Sequence, residues 1–120
     1  MKPELKIKRV YAPVDPDDGY RILVDRLWPR GKTRAEVAID RWAKGIAPST
    51  ALRKSWNHDA AHFEEFAQMY RHELAENAGV DDFLELLATQ ERVTLLYAAR
   101  NEQANHAMVL RDFLREQLAQ

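Results

Sequence analysis

The chain is expected to fold as a compact, layered α/β domain in which a small, mostly parallel sheet is flanked by helices. Three observations predict this. Tyr20-Arg21-Ile22-Leu23-Val24 and Arg92-Val93-Thr94-Leu95-Leu96-Tyr97-Ala98 are nearly continuous apolar runs, the pattern of strands buried on both faces. Leu5 to Tyr11 instead alternates apolar and charged residues, which gives a strand one buried and one wet face. Elsewhere the apolar spacing changes to three and four, as in Phe63, Phe66, Tyr70 and Leu74, which makes one stripe on a helix. No repeat, linker or low-complexity tract divides the 120 residues, so residues 1–120 are read as a single domain.

The elements follow in order. After the strand at Leu5–Tyr11, Pro13, Pro16, Asp17, Asp18 and Gly19 form a loop. The strand Tyr20–Val24 runs into Asp25-Arg26-Leu27-Trp28-Pro29-Arg30-Gly31, held extended because Pro29 disfavours helix at Trp28. Thr33 caps a short helix over Arg34–Val37, and Ala38–Ala43 is read as a third strand in preference to a continued helix. Gly45 to Pro48 break the chain before Ser49 or Thr50 starts a helical turn through Leu52 and Trp56. Asp59 is the expected cap of the Phe63–Leu74 helix, which Asn77-Ala78-Gly79 ends. Asp81 or Asp82 opens the next helix, with Phe83, Leu84, Leu86 and Leu87 inward. The last strand, Arg92–Ala98, precedes a helix capped by Asn101 whose inner face is Ala107, Leu110, Leu114 and Leu118.

Composition excludes several functions. Eighteen basic residues stand against 19 acidic ones, a net charge of −1, so no overall field draws the protein to nucleic acid or an anionic membrane. Absence of cysteine removes disulfides, thiol nucleophiles and cysteine-based metal sites, and fits a reducing cytoplasm. The N-terminus alternates charge without an apolar core, unlike a signal peptide, and the apolar runs are too short to span a bilayer. Glycines occur only at 19, 31, 45 and 79, so neither a dinucleotide fingerprint nor a phosphate loop can be assembled, and no cofactor is expected. The two serines, Ser49 and Ser55, lie outside any nucleophile-elbow pattern.

Three groups of residues remain. Asp25, Arg26, Trp28 and Arg30 directly follow a core strand, where ligands of open α/β sheets bind, and they combine planar forks for phosphate or carboxylate with a stacking face. The competing interpretation pairs Asp25 with an arginine and makes Trp28 a core plug. Arg100, Asn101, Asn105 and His106 follow the last strand near a helix N-terminus, which carries free N–H groups and a positive dipole end. His106 there is either an acid–base group or a hydrogen-bonded, half-buried histidine. Ser49 and Arg53, at i,i+4 spacing, make a second anion site or an ordinary cap with a neighbouring arginine. His58 and His62 are four apart, but Asp59 between them turns the chain, and no third ligand completes a metal set.

These segments also carry a resemblance. Tyr20 through Gly31, Ala47-Pro48-Ser49-Thr50, Leu52-Arg53, His58-Asp59, Phe66 with Tyr70, Leu95 through Ala99, and Asn105-His106-Ala107 together resemble the YeaO-like family of bacterial proteins along nearly the whole chain. The resemblance implies a compact α/β fold in the cytoplasm and implies no activity, because the family is a domain of unknown function. Arg100 stands where the family leads one to expect lysine, and Gln103-Ala104 replaces a more acidic or histidine-bearing pair. A role needing a titrating lysine at 100 is excluded, since arginine does not deprotonate.

The expectation is therefore a site for a small phosphate- or carboxylate-bearing ligand, with Arg26, Trp28, Arg30, Ser49, Arg53, Arg100 and Asn105 as binding residues and no metal. If the site is catalytic, Asp25 or His106 acts as base in a hydrolysis or group transfer. The alternative is a non-enzymatic ligand-binding or protein-interaction module, with Trp28, Trp42 and Trp56 as interface anchors.

Overall fold

A computed structural model describes residues 2–120. Four strands, β1 (Glu4–Arg9), β2 (Tyr20–Leu23), β3 (Arg41–Trp42) and β4 (Arg92–Tyr97), form one sheet in the order β1-β4-β2-β3, with every pairing parallel. The helices are α1 (Arg34–Val37), α2 (Thr50–Trp56), α3 (Phe63–Glu76), α4 (Val80–Ala88) and α5 (His106–Leu118). The expected α/β class with a small parallel sheet is what the chain adopts.

Strand order explains the hydropathy patterns. The two apolar runs are β2 and β4, the central strands, while the alternating run is β1, at an edge. Side chains of a strand alternate between faces. Ile22, Val24, Val93, Leu95 and Tyr97 join the main core with Leu5 and the buried residues of α2, α3, α4 and α5. Leu23 and Leu96 belong to a separate cluster with Val10 and Val37, against which Trp28, Ile39, Trp42 and Ala98 pack. Helices α2 to α5 thus cover one face, and α1 with its flanking loops covers the other.

That second face also holds a buried charge cluster. Asp18 and Arg21 are 1% and 5% exposed and pair with each other, and Lys8 donates to Asp18 at 3.0 Å. Arg21 also donates to the carbonyls of Ala38 and Val37. Burial pushes the Asp18 carboxyl upward, but the Asp15 backbone N–H, Lys8 and Arg21 together outweigh it and hold the carboxyl below its ordinary range. The lysines of the alternating β1 run therefore serve this cluster, with Lys6 at 3.7 Å. Gly19 lets the chain pass from this cluster into β2: its φ is +66°, and a Cβ there would stand 2.5 Å from the Arg92 carbonyl oxygen.

The third strand is shorter than expected, Arg41–Trp42 within Ala38–Ala43, and three helix starts also differ. Asp59 caps a single 3-10 turn, Ala60–His62, ahead of α3. Helix α4 starts one residue after Gly79, which leaves Asp81 and Asp82 inside its first turn, where acidic side chains favour the dipole. Asn105, not Asn101, caps α5, accepting from Met108 N–H, while Asn101 turns the preceding loop by accepting from Gln103 and Ala104 N–H. Among the described residues no helix is long and apolar enough to cross a membrane.

Candidate functional site

Parallel strands deliver their C-terminal ends to one edge of the sheet. The register sets Arg9 beside Tyr97 and Leu23 beside Leu96, and Val24 N–H still reaches the Leu96 carbonyl at 3.0 Å. Tyr11, Asp25 and Ala98, which follow β1, β2 and β4, therefore emerge together. A cleft of about 290 Å³ opens there, at the small end of the range typical of ligand pockets. Six of the residues singled out from sequence line it: Asp25, Arg26, Trp28, Arg30, Arg53 and His106. Apolar walls come from Pro48, Trp56 and Phe66, the last two stacked with ring centroids 4.1 Å apart.

His106 is the first residue of α5, at the cleft base, with its side chain 11% exposed. Its Nε2 meets Val24 O at 3.1 Å in hydrogen-bond geometry and lies 2.9 Å from Asp25 Oδ1. Two acceptors facing one ring nitrogen require Nε2 to carry the proton. That single N–H points to Val24 O, so Asp25 Oδ1 is close to the ring yet lacks an aligned donor. The other oxygen, Oδ2, accepts from Ala98 N–H at 2.9 Å. Asp25 thus lies against a histidine and accepts from a backbone amide, with no arginine paired to it among the described residues.

The three arginines differ. Arg26 donates through Nε to Pro48 O at 3.1 Å and through Nη2 to Ala47 O at 3.2 Å, so half its fork fastens the loop before α2. Arg53, on α2, is half-buried, and its enclosed Nε has no partner among the described residues. Arg30 is exposed at the mouth, where its carbonyl accepts from the Tyr11 hydroxyl at 3.1 Å. None of the three forms an ion pair with a carboxylate among the described residues. Trp28 is half-buried, donates Nε1–H to Lys32 O at 2.7 Å and meets Trp42 edge-on at 5.2 Å. It is at once a wall of the cleft and a cover for the second hydrophobic cluster.

Ser49, Arg100 and Asn105 do not line the cleft. Ser49 caps α2 by accepting from Leu52 N–H and is bound to Glu73, to which its N–H and hydroxyl both donate. Asn105 is fully buried as the α5 cap, and Arg100 is exposed on the loop before it. Trp42 and Trp56 spend their indole N–H groups on Asp25 O and Asp59 O. His62 pairs with Asp59 at 2.7 Å while His58 packs on Trp56 with ring centroids 5.0 Å apart, so the two histidines diverge. Among the described residues no three His, Cys, Asp or Glu side chains gather in a way that could hold a metal ion.

Tyr11 and His58 line the cleft without having been assigned to it from the sequence. Tyr11 had a signal: in a parallel sheet the residue after the first strand shares the edge with those after the others. Sequence groups His58 with Ser49 and Arg53 but does not place it in this cleft, because its position depends on the left-handed turn at Asn57 and His58, with φ 48° and 57°.

Three guanidinium groups and two imidazoles face one carboxylate, so the cleft is locally cationic although the chain is not. Among the lining residues there is no serine, threonine or cysteine, and the one hydroxyl, on Tyr11, is committed to a carbonyl. Behind the wall, burial pushes the Tyr70 hydroxyl well above its ordinary range, which keeps it a donor to Ile46 O at 2.6 Å.

A parallel α/β sheet with a cationic, aromatic-walled cleft at its strand ends defines the class. The chain belongs to the family described as the "Inactive DUF488-N3 subclade", which it matches over residues 4–120. It is 46% identical over 111 residues to the uncharacterized protein YeaO of Escherichia coli, covering 92% of this chain and 96% of that one. It is 39% identical over 110 residues to the uncharacterized protein Rv3073c of Mycobacterium tuberculosis, covering 92% of each. The YeaO-like resemblance of the sequence thus holds along the chain. No solved structure matches it.

Proposed function

We propose that the cleft binds a small phosphate- or carboxylate-bearing molecule and does not turn it over. The observation that carries this reading is the convergence of Arg26, Arg30 and Arg53 on one aromatic-walled cleft, with no carboxylate paired to any of them among the described residues. Guanidinium groups in such a place are usually neutralised, and planar forks suit carboxylate and phosphate oxygens. The family description "Inactive", and walls that carry no serine, threonine or cysteine and whose one hydroxyl, on Tyr11, is bound to a carbonyl, weigh toward binding over catalysis. The second reading, a hydrolase or transferase, draws on the Asp25–His106 pair, which resembles the base-and-orienter half of a triad.

Thermal melting with phenyl phosphate, benzoate, benzyl alcohol and benzylamine tests the proposal. The two anions should raise the Tm, by a stabilisation of about 2.7 kcal/mol at a hundredfold excess over Kd. The alcohol and amine should not, and Arg53→Gln should remove the response. Equal shifts from the amine, or none from either anion, would sink the reading. Turnover of phosphate or carboxylate esters that disappears in His106→Gln would replace it with the catalytic one.

A further inference from the structure

The carboxylate inside this cationic cleft narrows the ligand beyond its charge, an inference that rests on the anion-site reading above. Asp25 Oδ1 and Arg53 Nε are enclosed in walls of the same cleft, and neither has an aligned hydrogen-bond partner among the described residues. One is an acceptor in want of a donor and the other a donor in want of an acceptor. Structure elsewhere in the cleft leaves little slack to supply them. The His106 Nε2–H is spent on Val24 O, Ala98 N–H on Asp25 Oδ2, and two of the Arg26 donors on Ala47 and Pro48. An anion with acceptors only would satisfy Arg53 and be repelled by Asp25. An anion that brings its own O–H satisfies both, after a side-chain torsion turns either atom toward the opening.

We propose that Asp25 is a specificity-determining residue that selects anions carrying a hydrogen-bond donor, namely hydroxycarboxylates or phosphate monoesters in their singly protonated form, over donorless anions of the same size. Sites built around a ligand hydroxyl reject analogues lacking it far more strongly than apolar pockets reject a missing methylene, because the buried polar group is then left unpaired.

Matched pairs test this in calorimetric titrations of the whole chain. Mandelate and phenylacetate differ by one hydroxyl. Phenyl phosphate and phenyl sulfate differ in that only the phosphate can carry a proton, with its second pKa near 6. At about pH 6 the donor-bearing member of each pair should bind at least about tenfold more tightly, a difference of about 1.4 kcal/mol. Asp25→Asn should bring each ratio close to one, since an amide can donate to the donorless anion as well, whereas Arg53→Gln should weaken all four. If Asp25→Asn fails to fold, the wild type still decides the matter. Its phosphate-over-sulfate preference should shrink between about pH 5.5 and pH 8 as the monoester loses its proton, while the mandelate-over-phenylacetate preference should not. Equal binding within both pairs, or a phosphate preference that does not fall with pH, overturns the role of Asp25 and leaves the anion site standing. Failure of all four probes to bind overturns both.

Discussion

His106 Nε2 stands 2.9 Å from Asp25 Oδ1 and 3.1 Å from Val24 O, joining the start of the last helix to the end of a central strand across 82 residues. The contact closes the base of the cleft and fixes the tautomer of the ring. Two consequences separate: one for stability, and one for whatever binds above.

For stability, replacing His106 with phenylalanine keeps a flat ring and removes the N–H. Val24 O then loses its donor, and the Asp25 carboxylate loses the ring nitrogen 2.9 Å from it, in a nearly enclosed place. The expected cost is about 1–3 kcal/mol, the penalty for a buried acceptor left unmade, read as a lower urea midpoint at unchanged slope. A variant as stable as the wild type would show that water serves these acceptors equally well.

Arg26 and Arg30 should respond differently to the same conservative change. Arg26 uses two N–H groups on adjacent carbonyls, a contact lysine cannot reproduce, so Arg26→Lys should lose about 1–3 kcal/mol and loosen the loop before α2. Arg30 has an exposed side chain, and Arg30→Lys should change stability by under about 0.5 kcal/mol while weakening anion binding. Denaturation and titration on both variants check the contrast, and equal stability losses would mean that Arg30 has a structural contact.

The cluster on the far face predicts a pH effect. The Asp18 carboxyl is held below its ordinary range, so folding favours its charged form. That contribution is fully present above about pH 3.9, the unfolded value, and is lost as pH falls through the lower folded value. Asp18→Asn removes the counter-charge from Arg21 and Lys8 and should cost about 3–5 kcal/mol at neutral pH. It should also flatten the acid limb of the stability curve, measured by urea unfolding from about pH 2.5 to 7. An acid limb as steep as the wild type's would place that titration in other carboxylates.

How much of this was legible in the sequence depended on the range of the interactions. Runs such as Leu95-Leu96-Tyr97 and Leu5-Lys6-Ile7-Lys8 revealed central and edge strands, because burial on one face or two is written in local periodicity. The loop Asp25 to Arg30 could be placed at a strand end, and parallel pairing then carried Arg53 and His106 to the same edge. Choices among nearby polar residues were not legible. Asn101 and Asn105 are both competent caps, and only Asn105, whose side chain is enclosed and whose amide donates to Asn101 O, has the geometry of the helix start. The partner of Asp25 was equally hidden, since its histidine arrives from a distant helix.

Ser49 gives the sharpest contrast between scaffold and site. Sequence put it beside Arg53 as an anion contact, yet its hydroxyl donates to Glu73 Oε2 at 2.5 Å while accepting from Leu52 N–H at 3.1 Å. A second bond, from its own N–H to Glu73 Oε1 at 2.9 Å, ties the start of α2 to α3. The hydroxyl's one proton is therefore committed, and a carboxylate beside it repels any anion that approaches. Ser49→Ala removes the cap and one charge-assisted bond, and should cost about 1–2 kcal/mol. Affinity for phenyl phosphate should change less than about twofold, because Arg53 is held by the helix that Ser49 begins and not by the hydroxyl itself. Melting and titration of this one variant give both readings. A large loss of affinity with little loss of stability would return Ser49 to the site and require Glu73 to move away when the anion binds.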